Sequence, residues 1–335
     1  MMARNKVTLQ QIADELGTSK VTVSRALNGK PGIGDGLRQR ILERAVAYGY
    51  SLPSNEEIAI KSLAFLIPQR FFLEMDHFYT VIYLYLSHLC QARQIVLSAI
   101  TISQEEEREG RLPALFLHQK FDGVFLAGEC GETIVQKVRE MNRVVVMIDS
   151  KSSKGDVSCV LSDNYALGYE MAEYLLEKGH REIGFVGDYY HNSNICDRYM
   201  GLRKALVMRG IPYNASFDLI NNDNHTGLYT LNFRLPARLP TAYVCFCDMA
   251  AHYLYEKLHA AGVRVPEDVS VISFDNTEIC ENMKPALTSM EINKEDFARL
   301  AFEQMMKEAT SSSVGVPMQL FVRSRLMERD SVRTR

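Results

Sequence analysis

The sequence predicts an α/β body of parallel sheets covered by helices, preceded by a small all-helical head. Three observations carry this. Beyond residue 62, short apolar runs alternate with helical stretches, the pattern of parallel strands joined by helices. Residues 1–51 show only helical periodicity. Between the two lies Pro53-Ser54-Asn55, which breaks the helical pattern and marks a linker. At 335 residues the chain exceeds one ordinary domain. The expected division is a head over 1–51, a linker over 52–61 and a body over 62–335.

In the head, Leu9, Ile12, Ala13 and Leu16 fall on one face of a first helix. Thr8 and Gln11 have the spacing of a capping box, and Gly17 suits the left-handed conformation that ends a helix. Thr18 or Ser19 is placed to cap a second helix, which buries Val23, Ala26 and Leu27 and stops at Gly29. A third helix, from about Gly36 to Ala47, turns Leu37, Ile41, Leu42 and Ala45 inward. Together these make a three-helix core.

The outer face of the second helix carries Lys20, Thr22, Ser24, Arg25 and Asn28, with no acid among them. Short hydrogen-bonding groups and long cations suit base edges and phosphates in a major groove. A merely solvated face more often mixes Glu with Lys. The charge balance points the same way. The chain has a net charge of −3, yet its first 51 residues hold Arg4, Lys6, Lys20, Arg25, Lys30, Arg38, Arg40 and Arg44 against Asp14, Glu15, Asp35 and Glu43. A basic head on an acidic body is the balance of a polyanion-binding module fused to something else, or a chance clustering.

The stretch "VTLQQIADELGTSKVTVSRALNG…LRQRILERAVAYGY" closely resembles the helix-turn-helix headpiece of the LacI/GalR family of bacterial transcription regulators. Val-Thr-Leu, Ile-Ala, the Thr-Val-Ser-Arg run and the closing Gly49-Tyr50 all match. The resemblance implies that Lys20 and Val21 read bases, that Arg25 follows the family's Val-Ser, and that Thr22, Ser24 and Asn28 touch the DNA backbone. Lys6 and Thr8, at the edge of the first helix, are counted as DNA contacts too. Val21 is apolar, so it can meet a thymine methyl but donates nothing to a base. Gly34 and Leu37 stand where the family usually has Ser and Thr.

The joint departs from the family. Its relatives carry an Asn-x-x-Ala-Arg-x-Leu hinge helix whose leucine wedges into the minor groove. "SLPSNEEIAIK" lacks Ala-Arg-x-Leu, is about four residues shorter by alignment, and sets Glu56-Glu57 against phosphates. Ile58 or Ile60 is left as a substitute wedge. The expectation is a shortened, atypical hinge.

In the body the apolar runs "SLAFLIP", "IVLSAI", "DGVFLAG", "RVVVMID", "VSCVLS", "EIGFVGD", "AYVCFCD" and "VSVISFD" read as strands. Ligands of such sheets bind beyond the strands' carboxyl ends. Four strands end there in Asp149, Asp188, Asp248 and Asp275. Each either lines a polar cleft or caps the following helix. "RFFLEMDHFYT" follows the first strand; Phe71, Phe72 and Phe78 either wall that cleft or pack into the core.

The family resemblance continues through "LSDNYALGYEMAEYLLEKGHREIGFVGD", "DRYMGLRKALVMRGI", "AAGVRVPEDVSVISFDN", "PALTSMEIN" and "RSRLMERDS", and so covers nearly the whole chain. It implies a periplasmic-binding-protein-like core of two doubly wound parallel sheets, crossed three times by the chain. Subdomain one would hold about 62–160 plus 290–318, and subdomain two 161–289 plus 319–335. It also implies a ligand between them. Arg198, with Gly201, matches the family's ligand Arg in Arg-x-x-Gly, and a guanidinium holds vicinal hydroxyls or a carboxylate in a fork. Asp275 and Asp149 match positions near ligand. Cys247 stands where the family commonly has an Asn that bonds a sugar hydroxyl, and cysteine is a weak hydrogen-bonder. The candidate effector residues are therefore Phe72, Phe78, Asp149, Arg198, Cys247 and Asp275.

The reading that results is a homodimeric, ligand-responsive regulator, most simply a repressor, of a palindromic double-stranded DNA operator. Its small-molecule effector is a sugar or sugar derivative, or else a nucleobase. No run of 18 apolar residues is present, so no membrane contact is expected. "MMARNKVTLQQ" lacks a signal-peptide pattern, which leaves the cytoplasm as the expected place. The seven scattered cysteines suit reduced thiols, and Cys245-x-Cys247 reads as small strand residues rather than a metal pair. A transporter's solute-binding protein would fit the body but not the head. No GxGxxG after a strand, P-loop or Gly-x-Ser-x-Gly elbow appears, so neither enzyme nor cofactor is expected.

Overall fold

The computed structural model describes residues 8–27, 32–48, 60–72, 77–142, 144–223, 225–311 and 315–335. The chain divides into two compact units, 1–59 and 60–335.

The first unit is the three-helix head: α1 (Leu9–Glu15), α2 (Lys20–Leu27) and α3 (Asp35–Ala47). The capping box forms, with the Gln11 amide 3.4 Å from Thr8 Oγ1 and the Thr8 amide donating to Gln11 Oε1 at 2.7 Å. Gly17, at φ +62°, ends α1. Of the two candidate caps for α2 it is Ser19 that serves: its Oγ accepts the Thr22 amide at 3.0 Å. Ile12, Ala13, Val23, Ala26, Leu27, Ile41 and Ala45 form the core, with Leu9, Leu16, Leu37 and Leu42 at its margin. Glu15 ties α1 to α3 through an ion pair with Arg44 and an acceptor bond from Tyr48. Residues 51–59, which hold the atypical joint, lie outside the described residues.

The second unit begins with β1 (Ser62–Pro68), α4 (Phe78–Gln91) and β2 (Val96–Ile102). Then come α5 (Gln104–Glu109), α6 (Ala114–Leu117), β3 (Gly123–Ala127), α7 (Glu132–Met141), β4 (Val145–Ile148) and β5 (Ser158–Leu161). The chain continues through α8 (Asn164–Glu177), β6 (Ile183–Val186), α9 (Ser193–Met208), β7 (Ala242–Cys245), α10 (Asp248–Ala260) and β8 (Ser270–Asp275). It closes with α11 (Ile279–Asn282), β9 (Thr288–Ile292), α12 (Lys294–Thr310), β10 (Gln319–Phe321) and β11 (Ser324–Met327).

Two sheets result. The first runs β10-β5-β4-β3-β1-β2, parallel throughout, and the second β11-β9-β8-β7-β6, parallel except for β11. The central strands read as continuous apolar runs because both faces are covered. Phe65 and Phe125 face one core with α4 and α12, while Leu66 and Leu126 face another with α7.

The chain passes from the first sheet to the second between β5 and β6. It returns after β9, so that Phe297, Phe302 and Met305 of α12 pack on the first sheet. It crosses again between β10 and β11. The last two crossings fall a few residues later than the expected 290 and 319. Thr288–Ile292 completes the register with β8, and Gln319–Phe321 extends the first sheet's edge against β5.

Candidate functional site

Strand order in the first sheet reverses at β1, which has β2 on one side and β3 on the other. Crevices open at such switch points, beyond the strands' carboxyl ends. Here the ends of both sheets converge on one cavity, with about 100 Å³ open to the centres of water molecules. From the first sheet's side come Arg70, Phe71, Phe78, Tyr79 and Asp149; from the second's, Asn192, Asn194, Arg198, Asn222, Tyr229, Phe246, Cys247 and Asp275.

Arg198 is the centre of this arrangement. It is buried, 6% exposed, on α9. Nε donates to Asn164 Oδ1 at 2.7 Å, and Nη1 donates to the Phe246 carbonyl. Nη2 lies 3.6 Å from Asp275 Oδ1, and the guanidinium carbon sits 4.5 Å above the Phe274 ring. These contacts lock the fork in place while its other N–H groups stay available to a ligand.

Two strand-end aspartates face it. Asp149 takes positive φ (+56°) and accepts from Tyr79 Oη at 2.8 Å, while its carbonyl accepts from Asn194 at 2.8 Å. Asp275 also takes positive φ, +98°. Strained backbone at two facing acids is the kind of feature that clusters at ligand sites.

The other two strand-end aspartates serve the fold. Asp248, 1% exposed, accepts from Ser273 Oγ at 2.5 Å and Ser289 Oγ at 2.7 Å, and from the Thr277 amide and hydroxyl at 2.7 and 2.8 Å. It staples α10 to β8 and β9. Asp188 closes its own turn, accepting from the Tyr190 amide at 3.1 Å and bonding His191 Nδ1 at 2.8 Å.

Of the six sequence-derived cavity residues, Phe78, Asp149, Arg198, Cys247 and Asp275 line the cavity. Phe72 does not; it turns into the core edge-on to Tyr83, with centroids 6.4 Å apart. Phe71 takes the wall position instead. A Cβ at Gly128 (φ +73°) would lie 2.6 Å from the Phe71 ring, so only glycine lets that ring lie flat there. Cys247 caps α10, its Sγ 3.4 Å from the Ala250 amide, and holds Tyr229 Oη at 3.1 Å. Tyr229 in turn stacks parallel to Phe246, at 6.2 Å and 7°. Where an Asn was expected, a thiol thus anchors an aromatic wall.

Sequence reading missed Tyr79, Asn194, Asn222 and Tyr229. Only Asn192, the N-cap of α9 in "HNSN", left a local signal. Arg70 was also missed; it forks onto Glu107 at 3.0 and 2.6 Å and bonds the Glu129 carbonyl at 2.8 Å.

In the head, Lys20, Val21 and Arg25 are exposed on α2, Val21 at 67%, and Thr22 and Ser24 are half-buried. The Thr22 hydroxyl lies 2.8 Å from Ser19 Oγ, and Thr8 is engaged by its capping box. Lys6 and Asn28 lie outside the described residues. The described part of the α2 face holds no carboxylate.

Comparison with known proteins bears on both units. A family model described as a periplasmic binding protein-like domain matches residues 172–332. Catabolite control protein A of Priestia megaterium is 26% identical over 329 residues, spanning 92% of this chain and 95% of its own. The HTH-type transcriptional repressor PurR of Vibrio parahaemolyticus is 23% identical over 314 residues, spanning 90% and 91%. Among solved structures, a transcriptional regulator CelR–cellobiose complex superposes at TM-score 0.67 with 23% identity, covering 97% of this chain and all of that one. A LacI family transcriptional regulator from Enterococcus faecium with bound ribose gives 0.68 at 20% identity, covering 82% and 99%.

Proposed function

We propose that the chain is a LacI/GalR-family repressor whose grip on operator DNA is set by a small sugar in the Arg198 cavity; the periplasmic binding protein-like match and the similarity to catabolite control protein A and PurR support the family. The observation that carries this is the cavity's chemistry. A buried, pre-oriented guanidinium faces two carboxylates, with asparagine amides beside them and Phe71, Phe78 and Tyr79 as walls. Donors and acceptors in a ring between aromatic faces suit a polyhydroxylated ring. Size agrees. At roughly 10–15 Å³ of such volume per water, about 100 Å³ accommodates a ligand of monosaccharide scale. The solved relatives with bound ribose and cellobiose support the class. The aromatic walls also admit a nucleobase, which is the second reading.

The head, over 1–51, supplies the DNA contacts through Lys6, Thr8, Lys20, Val21, Thr22, Ser24, Arg25 and Asn28. A linker over 52–61 joins it to the core over 62–335. The protein acts as a homodimer on a palindromic operator, one head per half-site, in the compartment that holds the DNA. Ligand that closes the core changes the spacing of the heads. By linkage, an effector that weakens operator binding must itself bind the operator-bound dimer more weakly. No catalytic step is assigned.

The test has two arms. Full-length protein selects its operator from a random DNA pool, and a thermal-shift panel of sugars, nucleobases and amino acids finds the ligand through stabilisation on binding. A sugar that raises Tm and changes operator retention in a gel shift is the expected result. A palindrome-free selection, or sustained turnover of a panel compound, overturns the reading.

A further inference from the structure

Outside the cavity, hydrogen bonds join the two sides of the cleft directly. Glu129 follows β3, on the first sheet's side, and Ser193 opens α9, on the second's. The Ser193 amide donates to Glu129 Oε2 at 2.9 Å. Beside it the Asn194 side chain donates to the Asp149 carbonyl at 2.8 Å, and Gln104, at the start of α5, donates to the His225 carbonyl at 3.5 Å. We propose that Glu129 is a latch: its carboxylate caps the helix of Arg198 from the opposite subdomain and sets the balance between a closed and an open core.

The identity of the donor argues for this. The first amides of a helix have no intrahelical acceptor. Asn192 already accepts from the Ile195 amide at 3.0 Å, so Ser193 draws its acceptor from across the cleft. A carboxylate suits that place, because a helix N-terminus carries partial positive charge and α9 runs for 16 residues. Glu129 is also aimed. Arg70 Nη2 donates to its carbonyl at 2.8 Å, and Arg70 is itself forked onto Glu107 at 3.0 and 2.6 Å. Both side chains of that fork are mostly buried, so the half-buried Glu129 reaches out from a fixed base.

The strength of the bond suits a switch. It is exposed to solvent, so it shifts the closed–open balance by roughly three- to tenfold rather than locking it. Glu129 is absent from the described residues that line the Arg198 cavity. It therefore acts on closure and not on ligand contacts, and it scales by one factor the affinity of every ligand that requires the closed core. Arg70 belongs to both the cavity wall and the latch, which places occupancy and closure on one side chain.

Two substitutions break the bond from opposite ends. Glu129→Ala removes the acceptor. Ser193→Pro removes the donor and spares the helix: proline is favoured at the first helical position, and Asn192, at φ −144° and ψ 124°, already has the extended backbone that precedes proline. The native thiols report the result. Cys247 lines the cavity, whereas Cys90 and Cys280 lie in the cores of the two subdomains. Full-length protein is treated with N-ethylmaleimide without added ligand, and the alkylation rate at each site is read by peptide mass spectrometry. Cys247 is expected to react roughly three- to tenfold faster in either variant, with Cys90 and Cys280 at native rates, and no faster in the double variant than in the singles. Native rates at Cys247 in both single variants overturn the latch. So do factors that multiply in the double variant, or an equal acceleration of Cys90 and Cys280 in both singles, the sign of a general loss of stability. The measurement needs neither DNA nor an identified effector, so its failure leaves the repressor reading intact.

Discussion

The carbonyl oxygen of Arg198 occupies the space in which a side chain at Gly168 would begin. A Cβ at Gly168 would lie 2.1 Å from that oxygen, and one at Gly201 would lie 2.2 Å from the carbonyl of Tyr165. These paired glycines bring the backbones of α8 and α9 into contact, and that contact sets the depth of the Arg198 side chain. The glycine of Arg-x-x-Gly therefore positions its arginine.

Gly168→Ala should push the helices apart. Backbone cannot yield as a side chain tip does, so the expected loss of stability is about 1–3 kcal/mol or more, read as a lower urea midpoint. Arg198 should shift with α9, and the ligand-induced rise in Tm should shrink. Unchanged stability together with an unchanged ligand response would show that the contact does not fix the cavity.

Arg198 itself should separate sensing from DNA binding. Arg198→Ala removes the fork facing Asp275, and the effector response should vanish while operator affinity holds. Arg198→Lys keeps a charge but not the planar fork, so a lysine variant that still responds would argue for charge alone. Effector-dependent gel shifts on both variants decide it. Retained induction in the alanine variant would remove Arg198 from the ligand site.

The fold was largely legible because strands such as "GVFLA" and "VVMI" are apolar on both faces and alternate with helices. Arg198 was picked out only through the family resemblance, by the Arg-x-x-Gly it forms with Gly201, not by its residue type. The strand pattern alone did not separate the four strand-end aspartates; only the family resemblance singled out Asp149 and Asp275. Asp248 differs from Asp275 only because Ser273 and Ser289, distant in sequence, reach it through the sheet register. Tyr79 and Tyr229 carry no local signal; they meet the cavity because the topology brings loop ends together. Phe72 and Phe71 are adjacent, and sequence alone could not say which ring turns inward.

His180 predicts a pH effect on stability. Its ring is fully buried, 2.9 Å from Thr241 Oγ1 and 3.0 Å from the Arg333 carbonyl. Burial pushes its pKa down to about 4 from an ordinary 6.5. Above pH 6.5 the ring is neutral whether the chain is folded or not, and it costs nothing. Between 6.5 and 4 the unfolded chain binds a proton that the native ring refuses, so stability falls as pH falls. The loss attributable to this group approaches about 3 kcal/mol near pH 4. Urea midpoints across that window should slope less in His180→Gln than in the native chain. Parallel slopes would show that His180 does not contribute.

The head offers the sharpest distinction between two kinds of cation. Arg25 is exposed near the end of α2, whereas Lys20 opens the helix beside the apolar Val21. Arg25→Ala should weaken operator binding by about 1–3 kcal/mol and relax specificity at one position of each half-site. If Lys20 meets only phosphate, Lys20→Ala should weaken all sequences alike and reduce the salt slope by about 1 for each head. If Lys20 reads a base, its loss should instead change the preferred sequence. Titrations of operator and scrambled DNA at several salt concentrations separate the outcomes. Arg25→Ala binding as well as the native head at fixed salt would remove this helix face from the DNA interface.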